Sequence, residues 1–253
     1  MVAGWQWVAD RVGVRTSRRE LTTSTVIVSG PSALLVDPAW DPDELDRIAD
    51  QLAAAGLDVS AGFATHAHQD HLLWHPRFGA APRWASRATA RAAADRRSEL
   101  VAAMGPGWPA ELGALVGRLR AAPGDVLPWN GPEVRMIVHD GHTPGHTALW
   151  FAAPRVLIAG DMLSDVELPL PQESGLAEYA AGLDALTAYV RQAVVVVPGH
   201  GHPAVGSAEP MRRWRADRRY IDALLAGRDP VDPRTALPGM RSAHGANLQL
   251  ARR

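Results

Sequence analysis

The stretch Thr65-His66-Ala67-His68-Gln69-Asp70-His71 puts three imidazoles and a carboxylate within six positions. It follows directly on the apolar run Ala61 to Ala64, which reads as a short strand. A loop leaving a strand can turn clustered side chains toward one point, and a rigid sheet then fixes their aim. One histidine in a turn would signify only a solvated polar loop. Four ligand-type groups at this density point instead to a metal site.

Three later segments share that grammar, each a glycine-bracketed turn beside a β-type run. They are His142-Thr143-Pro144-Gly145-His146, Ala159-Gly160-Asp161 and Pro198-Gly199-His200. Singly, each reads as an ordinary turn in which Gly and Pro supply the backbone angles. Together and in order they offer more ligand groups from strand ends. The chain has no cysteine, so any metal is held by His, Asp or Glu, and disulfide and thiolate chemistry are excluded.

Outward from the motif the pattern alternates strand and helix. TVIVS from Thr25 and ALLVD ending at Asp37 flank Gly30-Pro31 and read as a hairpin. Asp41, Pro42 and Glu44 then supply a cap, a first-turn proline and a capping-box glutamate, with Leu45, Ile48 and Leu52 at helical spacing up to Gly56. Two helices are expected between Ser86 and Arg120, broken at Gly105-Pro106-Gly107-Trp108-Pro109. Strands are expected at Val134–Val138, Thr147–Phe151, Val156–Ile158 and Ala193–Val197, and helices at about Ala177–Arg191 and Ala208–Ala226. Residues 1–226 thus read as one domain with a helical insertion at about 86–120. Residues 227–253, with Pro230, Pro233, Pro238 and Gly239, read as an irregular tail.

The 253 residues are 47% hydrophobic, enough for a sizeable core, and the formal net charge of −1 draws in neither nucleic acid nor an anionic membrane. No secretory signal and no membrane-spanning run is visible, so a cytoplasmic location and a small-molecule partner are expected. Every one of the 26 basic residues is Arg.

The ordered segments resemble the metallo-β-lactamase-fold hydrolases, whose succession of HxHxDH, His, Asp and His is matched in full. The resemblance covers roughly Thr25 to Val205, with steps of 75 residues from His71 to His146, 15 to Asp161 and 39 to His200. It implies an α/β fold, a four-layer αββα sandwich of two mixed sheets with helices outside. It implies two divalent metal ions, Zn²⁺ first, with Fe or Mn²⁺ as alternatives. His66, His68 and His146 would hold one, Asp70, His71 and His200 the other, and Asp161 would bridge them. Metal binding lowers the pKa of water from about 15.7 toward about 7, so a hydroxide shared by two ions would attack at neutral pH. Asp70 would be catalytic as well as a ligand, orienting that hydroxide and moving its proton. His142 reads as a partner behind His146 rather than a ligand.

Asp161 narrows the reaction, because zinc β-lactamases of this family usually carry Cys or Ser there, whereas thioesterases, lactonases and phosphodiesterases carry Asp. The expected reaction is cleavage of an ester-like bond in a thioester, lactone or related small molecule. The lack of Lys argues against the glutathione thioesterases of the family, which use Lys among the basic residues that hold glutathione's carboxylates, although Arg can take that part. Trp40, Trp74 and Trp84 are open to two readings, as pocket lining or as packing beneath the insertion. The alternatives are a mononuclear iron oxidoreductase resembling the persulfide dioxygenases, and a phosphodiesterase or nuclease on the same fold. The Arg212 to Arg219 run is the only dense basic stretch, and on a helix it reads as a solvated face.

Overall fold

The computed structural model describes Val2 and residues 4–252. It begins with antiparallel strands β1 (Gln6–Ala9), β2 (Val12–Thr16), β3 (Thr23–Ser29) and β4 (Ser32–Val36), followed by helix α1 (Pro42–Ala54) and β5 (Asp58–Phe63). Then come β6 (Arg83–Ala85), helices α2 (Arg87–Asp95), α3 (Arg97–Ala103) and α4 (Ala110–Gly113), and β7 (Arg120–Ala121). The second half holds β8 (Arg135–Val138), β9 (Thr147–Phe151), β10 (Val156–Gly160), α5 (Leu176–Gln192), β11 (Val195–Pro198), β12 (Ala204–Val205), α6 (Glu209–Leu225) and α7 (Met240–Leu250). One sheet runs β1 to β7 in sequence order, the other β12-β11-β10-β9-β8.

Successive side chains of a strand face opposite ways, and that alternation sorts this chain into layers. Leu34 and Val36 of β4 join Ile27, Phe63, Leu149, Phe151, Ile158 and Val197 in the core between the sheets. Their neighbours Ala33 and Leu35 face outward onto Leu45, Ile48 and Leu52 of α1. On the other sheet Trp150, Leu157 and Val196 face Leu183, Leu186 and Val190 of α5 and Tyr220, Ile221 and Leu224 of α6. The result is the expected αββα sandwich.

Parallel crossovers place the loops. β4 pairs parallel with β5 across α1, and β10 pairs parallel with β11 across α5. The chain therefore leaves β4, β5, β10 and β11 at the same edge, where the start of antiparallel β9 also lies. The two sheets are stitched there by Thr23 N donating to Gly199 O at 2.7 Å and Thr147 N to Thr65 O at 2.9 Å.

Several elements differ from the sequence expectation. Strands β1, β2, β6, β7 and β12 were not foreseen; β1, β7 and β12 are short sheet edges, and the pairing of β6 and β7 rests on neighbours distant in sequence. The insertion has three helices, because Arg96 interrupts the first with φ −100° and ψ 14°. The segment expected to be an irregular tail ends in helix α7: the prolines stop at Pro238, and Asn247 docks the helix by donating to Pro169 O at 2.8 Å. Trp74 is core, packed on Phe78 at 5.0 Å and under the Arg83 guanidinium at 4.8 Å. Trp40 is buried edge-on to Trp108 at 6.0 Å, and Trp84 donates from Nε1 to Pro128 O. No helix among the described residues is long and apolar enough to cross a membrane.

Candidate metal centre

Each neutral imidazole has one N–H and one lone pair, so the partner of one ring nitrogen decides what the other can do. After β4, Asp37 takes a left-handed backbone, φ 46°, and its carboxylate accepts from Thr65 N at 2.9 Å, Thr65 Oγ1 at 2.6 Å and His71 Nδ1 at 2.9 Å. Thr65 Oγ1, its proton committed to Asp37, accepts from His66 Nδ1 at 3.1 Å. His200 Nδ1 donates to Glu20 O at 2.9 Å, His142 Nδ1 to Leu170 O at 3.0 Å, and His68 Nε2 to Glu173 Oε1 at 3.0 Å. These partners assign the tautomers. Each of the five rings then turns its remaining nitrogen, a lone pair, toward one centre.

The inner nitrogens gather around Asp161. Its Oδ2 lies 3.3 Å from His66 Nε2, 3.5 Å from His142 Nε2 and 3.4 Å from His200 Nε2, and its Oδ1 lies 3.2 Å from His71 Nε2. His68 Nδ1 is 3.0 Å from His66 Nε2 and 3.2 Å from His142 Nε2. Asp70 Oδ2 sits 3.2 Å from His71 Nε2 and 3.3 Å from His200 Nε2, and accepts from Thr22 Oγ1 at 3.1 Å. Two donor groups result, His66, His68, His142 and Asp161, and Asp70, His71 and His200, each with its ligand atoms within 4.8 Å of one another.

His146 is not among them, which corrects the sequence reading. Its Nε2 accepts the Asp161 backbone N–H at 3.0 Å, and its Nδ1 faces His139 Nε2 at 3.4 Å. With that lone pair consumed by an amide, the ring cannot also hold a metal. Burial keeps it neutral, holding its pKa well below the usual imidazole value. Gly160 belongs to the same arrangement: at φ +53° any Cβ there would collide with the His146 ring. The His of this loop that reaches the centre is His142, four residues earlier, and burial lowers it to about 4.

The electrostatics suit a cation. Burial alone would raise Asp70 and Asp161 and lower His71 and His200. The mutual attraction wins, so both carboxylates stand well below their usual range and both rings well above theirs, a proton on each inner nitrogen taking the place of the cation that would release its lone pair. Asp161 Oδ1 is buried and accepts no hydrogen bond among the described residues, an orphan of the kind a metal satisfies. Imidazole nitrogens and carboxylate oxygens without thiolate form a donor set for a divalent transition metal. The residues fit the group.

Asp37, Thr22 and Glu173 were missed by sequence reasoning. Only Asp37, an acid closing an apolar strand, left a local trace. Glu167 was missed as well; burial pushes its carboxyl up to about 7, and its oxygen lies within 4.8 Å of the donor atoms of Asp161 and His200. The other histidines serve elsewhere: His75 faces Asp46, His202 faces Asp165, and His244 bonds Tyr220 and Asp229.

Comparison with known proteins agrees with this geometry. The family described as the Metallo-beta-lactamase superfamily matches residues 18–202. A curated relative, the hydroxyacylglutathione hydrolase of Acidiphilium cryptum (strain JF-5), is 29% identical over 164 residues, 64% of this chain and 58% of that protein. The chain thus spans less than two thirds of that relative's length. A beta-lactamase domain protein from Burkholderia ambifaria superposes with a TM-score of 0.63 at 22% identity, covering 90% of this chain and 78% of that one. The DIM-1 metallo-beta-lactamase gives 0.61 at 18% identity, over 85% and 97% of the two chains. A metallo-beta-lactamase from Pontibacter korlensis gives 0.60 at 16% identity, over 81% and 92%. At these identities the solved structures show the shared fold alone.

Proposed function

We propose that this chain, which belongs to the metallo-beta-lactamase superfamily, is a hydrolase that holds two divalent metal ions, Zn²⁺ first among them, and cleaves an ester-like bond in a small molecule. One observation carries the reading: five imidazoles with their outer nitrogens engaged point their inner lone pairs into two groups that meet at Asp161. His66, His68 and His142 would hold one ion, Asp70, His71 and His200 the other, and Asp161 would serve both.

Two such ions, when bound, polarise a carbonyl oxygen and lower the pKa of water toward about 7. The chain's own contribution is orientation and proton handling. Asp70 is anchored by Thr22 Oγ1 and stays ionised against burial because His71 and His200 face it. Its carboxylate can accept the proton of the attacking water and deliver it to the leaving group. Asp37, through Thr65 and directly, holds His66 and His71 in the tautomer that keeps Nε2 free.

A thioester, a lactone or a related linkage fits this reading, and hydroxyacylglutathione in the curated relative's name is itself a thioester. A small-molecule substrate fits the surface too: of the five arginines of α6, Arg212, Arg213 and Arg218 are paired with Glu209, Asp165, Asp184 and Asp222, which offsets part of the positive charge a nucleic acid would need there. The test is metal analysis together with a panel of thioesters, lactones, aryl esters, phosphodiesters and cephalosporins. Two ions per chain with ester-type turnover is expected. One iron per chain with thiol-dependent oxygen uptake and no ester cleavage would overturn the reading.

A further inference from the structure

We propose that Glu167 is an additional metal ligand, a third carboxylate that makes the Asp161–His200 side of the centre oxygen-rich and suited to an ion of more than four ligands, such as Mn²⁺ or Fe²⁺. The inference rests on the metal-centre reading above and concerns a residue outside the HxHxDH, His, Asp, His succession.

Glu167 lies on the loop that leaves Asp161, and a carboxylate oxygen of Glu167, one of Asp161 and a ring nitrogen of His200 lie within 4.8 Å of one another. A second observation points the same way: Asp161 is buried, and its Oδ1 makes no hydrogen bond among the described residues beyond the 3.2 Å approach of His71 Nε2. Three carboxylates, Asp70, Asp161 and Glu167, thus converge on one end of the site. Crowding ionised carboxylates in a partly buried space is unfavourable unless a cation lies between them.

The placement of Glu167 is held by its backbone. Ser164 Oγ donates to His200 O at 2.8 Å and accepts from Glu167 N at 3.0 Å, tying the loop to the ligand strand. Arg234 Nη1 donates to Glu167 O at 2.7 Å, and the guanidinium is itself fixed by Asp217 at 2.7 Å and Asp232 at 2.9 Å. The segment after α6 thereby acquires a purpose, since it clamps the loop that presents the carboxylate. The two halves of the centre then differ in donor chemistry. His66, His68 and His142 make a nitrogen-rich position that suits tetrahedral Zn²⁺, while Asp70, Asp161 and Glu167 with His71 and His200 make a harder one.

The test uses full-length protein stripped with a chelator and titrated calorimetrically with Zn²⁺ and, separately, Mn²⁺, as wild type, Glu167→Gln and Glu167→Asp. The metal-free melting temperature of neither variant should fall below that of wild type, and Glu167→Gln, which relieves the crowding of carboxylates, should equal or exceed it. Glu167→Gln should weaken Mn²⁺ at least about 10-fold while leaving the tighter Zn²⁺ event unchanged, with Glu167→Asp in between. Mn²⁺ and both Zn²⁺ events at wild-type affinity in Glu167→Gln would overturn the role of Glu167 and leave the two-metal reading standing. A wild-type protein that takes up fewer than two Zn²⁺ would overturn that reading and this inference with it.

Discussion

Replacing His142 and His146 one at a time separates a ligand from the residue that supports it. In His146→Ala the Asp161 N–H loses its acceptor at 3.0 Å, and a fully buried imidazole leaves a cavity. An orphaned buried donor costs about 1–3 kcal/mol and truncating a large buried side chain about 2–5 kcal/mol. Allowing for overlap, a loss of about 3 kcal/mol or more corresponds to a fall on the order of 10 °C in the melting temperature of the metal-free protein. In His142→Ala one of three nitrogen donors to the first ion disappears, and affinity should fall by more than about 100-fold, beyond the range typical of residues that only support ligands. Differential scanning calorimetry of metal-free protein and Zn²⁺ competition against a chromophoric chelator read the two effects separately. His146→Ala should show the larger fall in melting temperature and His142→Ala the larger loss of affinity. Metal retained by His142→Ala but lost by His146→Ala would refute the assignment.

Three further outcomes follow from the same contacts. Asp70→Asn keeps the shape but removes the charge, and should lower kcat at least about 10²-fold with an unchanged circular dichroism spectrum; turnover at the native rate would remove Asp70 from the chemistry. Arg234→Met leaves buried Asp217 without its partner at 2.7 Å and should destabilise the fold by about 3–5 kcal/mol in urea unfolding; a change under about 1 kcal/mol would show the pair to be dispensable. Hydrogen bonds from Arg212 and then Arg213 pull Glu209 from 4.5 to about 2. A depressed carboxylate contributes stability that is full above its ordinary value and fades as pH falls from about 4.5 toward about 2. Glu209→Gln should accordingly flatten the melting temperature across that window, and a slope like the native one would show that Glu209 does not contribute.

The sandwich was legible because its signals are local. Leu34 and Val36 against Ala33 and Leu35 alternate with the strand period, and the Asp41-Pro42-Glu44 signature opens a helix where Asp41 N donates to Glu44 Oε2 at 3.3 Å. The cluster was legible at His66, His68, Asp70, His71, Asp161 and His200 because a parallel crossover in each sheet, β4 to β5 and β10 to β11, delivers strand ends to one edge. Strand β6 was missed since Arg83-Trp84-Ala85 carries no periodicity of its own. It forms because β5 offers a free edge and the Arg83 guanidinium finds the carbonyls of Leu72, Leu73 and Leu115. Helix α7 was missed for a related reason: a composition broken by prolines hid eleven residues that are stabilised by docking.

The error over His142 and His146 shows where one-dimensional reading stops. Both lie in one turn, both rings are buried, and each is within a few residues of β9. What separates them is the fate of a lone pair. His146 gives its lone pair to the backbone N–H of Asp161, fifteen residues away on the neighbouring strand end, and the bare backbone of Gly160 makes room for its ring. His142 loses only its N–H, to Leu170 O, and keeps its lone pair for the centre. The same logic runs through the site: Asp37, Glu20, Leu170 and Glu173 set the tautomers of His71, His200, His142 and His68 from at least 28 residues away. Ligand identity here is therefore a property of the outer hydrogen bonds. A substitution that reverses one tautomer, such as Asp37→Asn, which can donate where Asp37 accepts from His71 Nδ1, should weaken metal binding without touching any ligand.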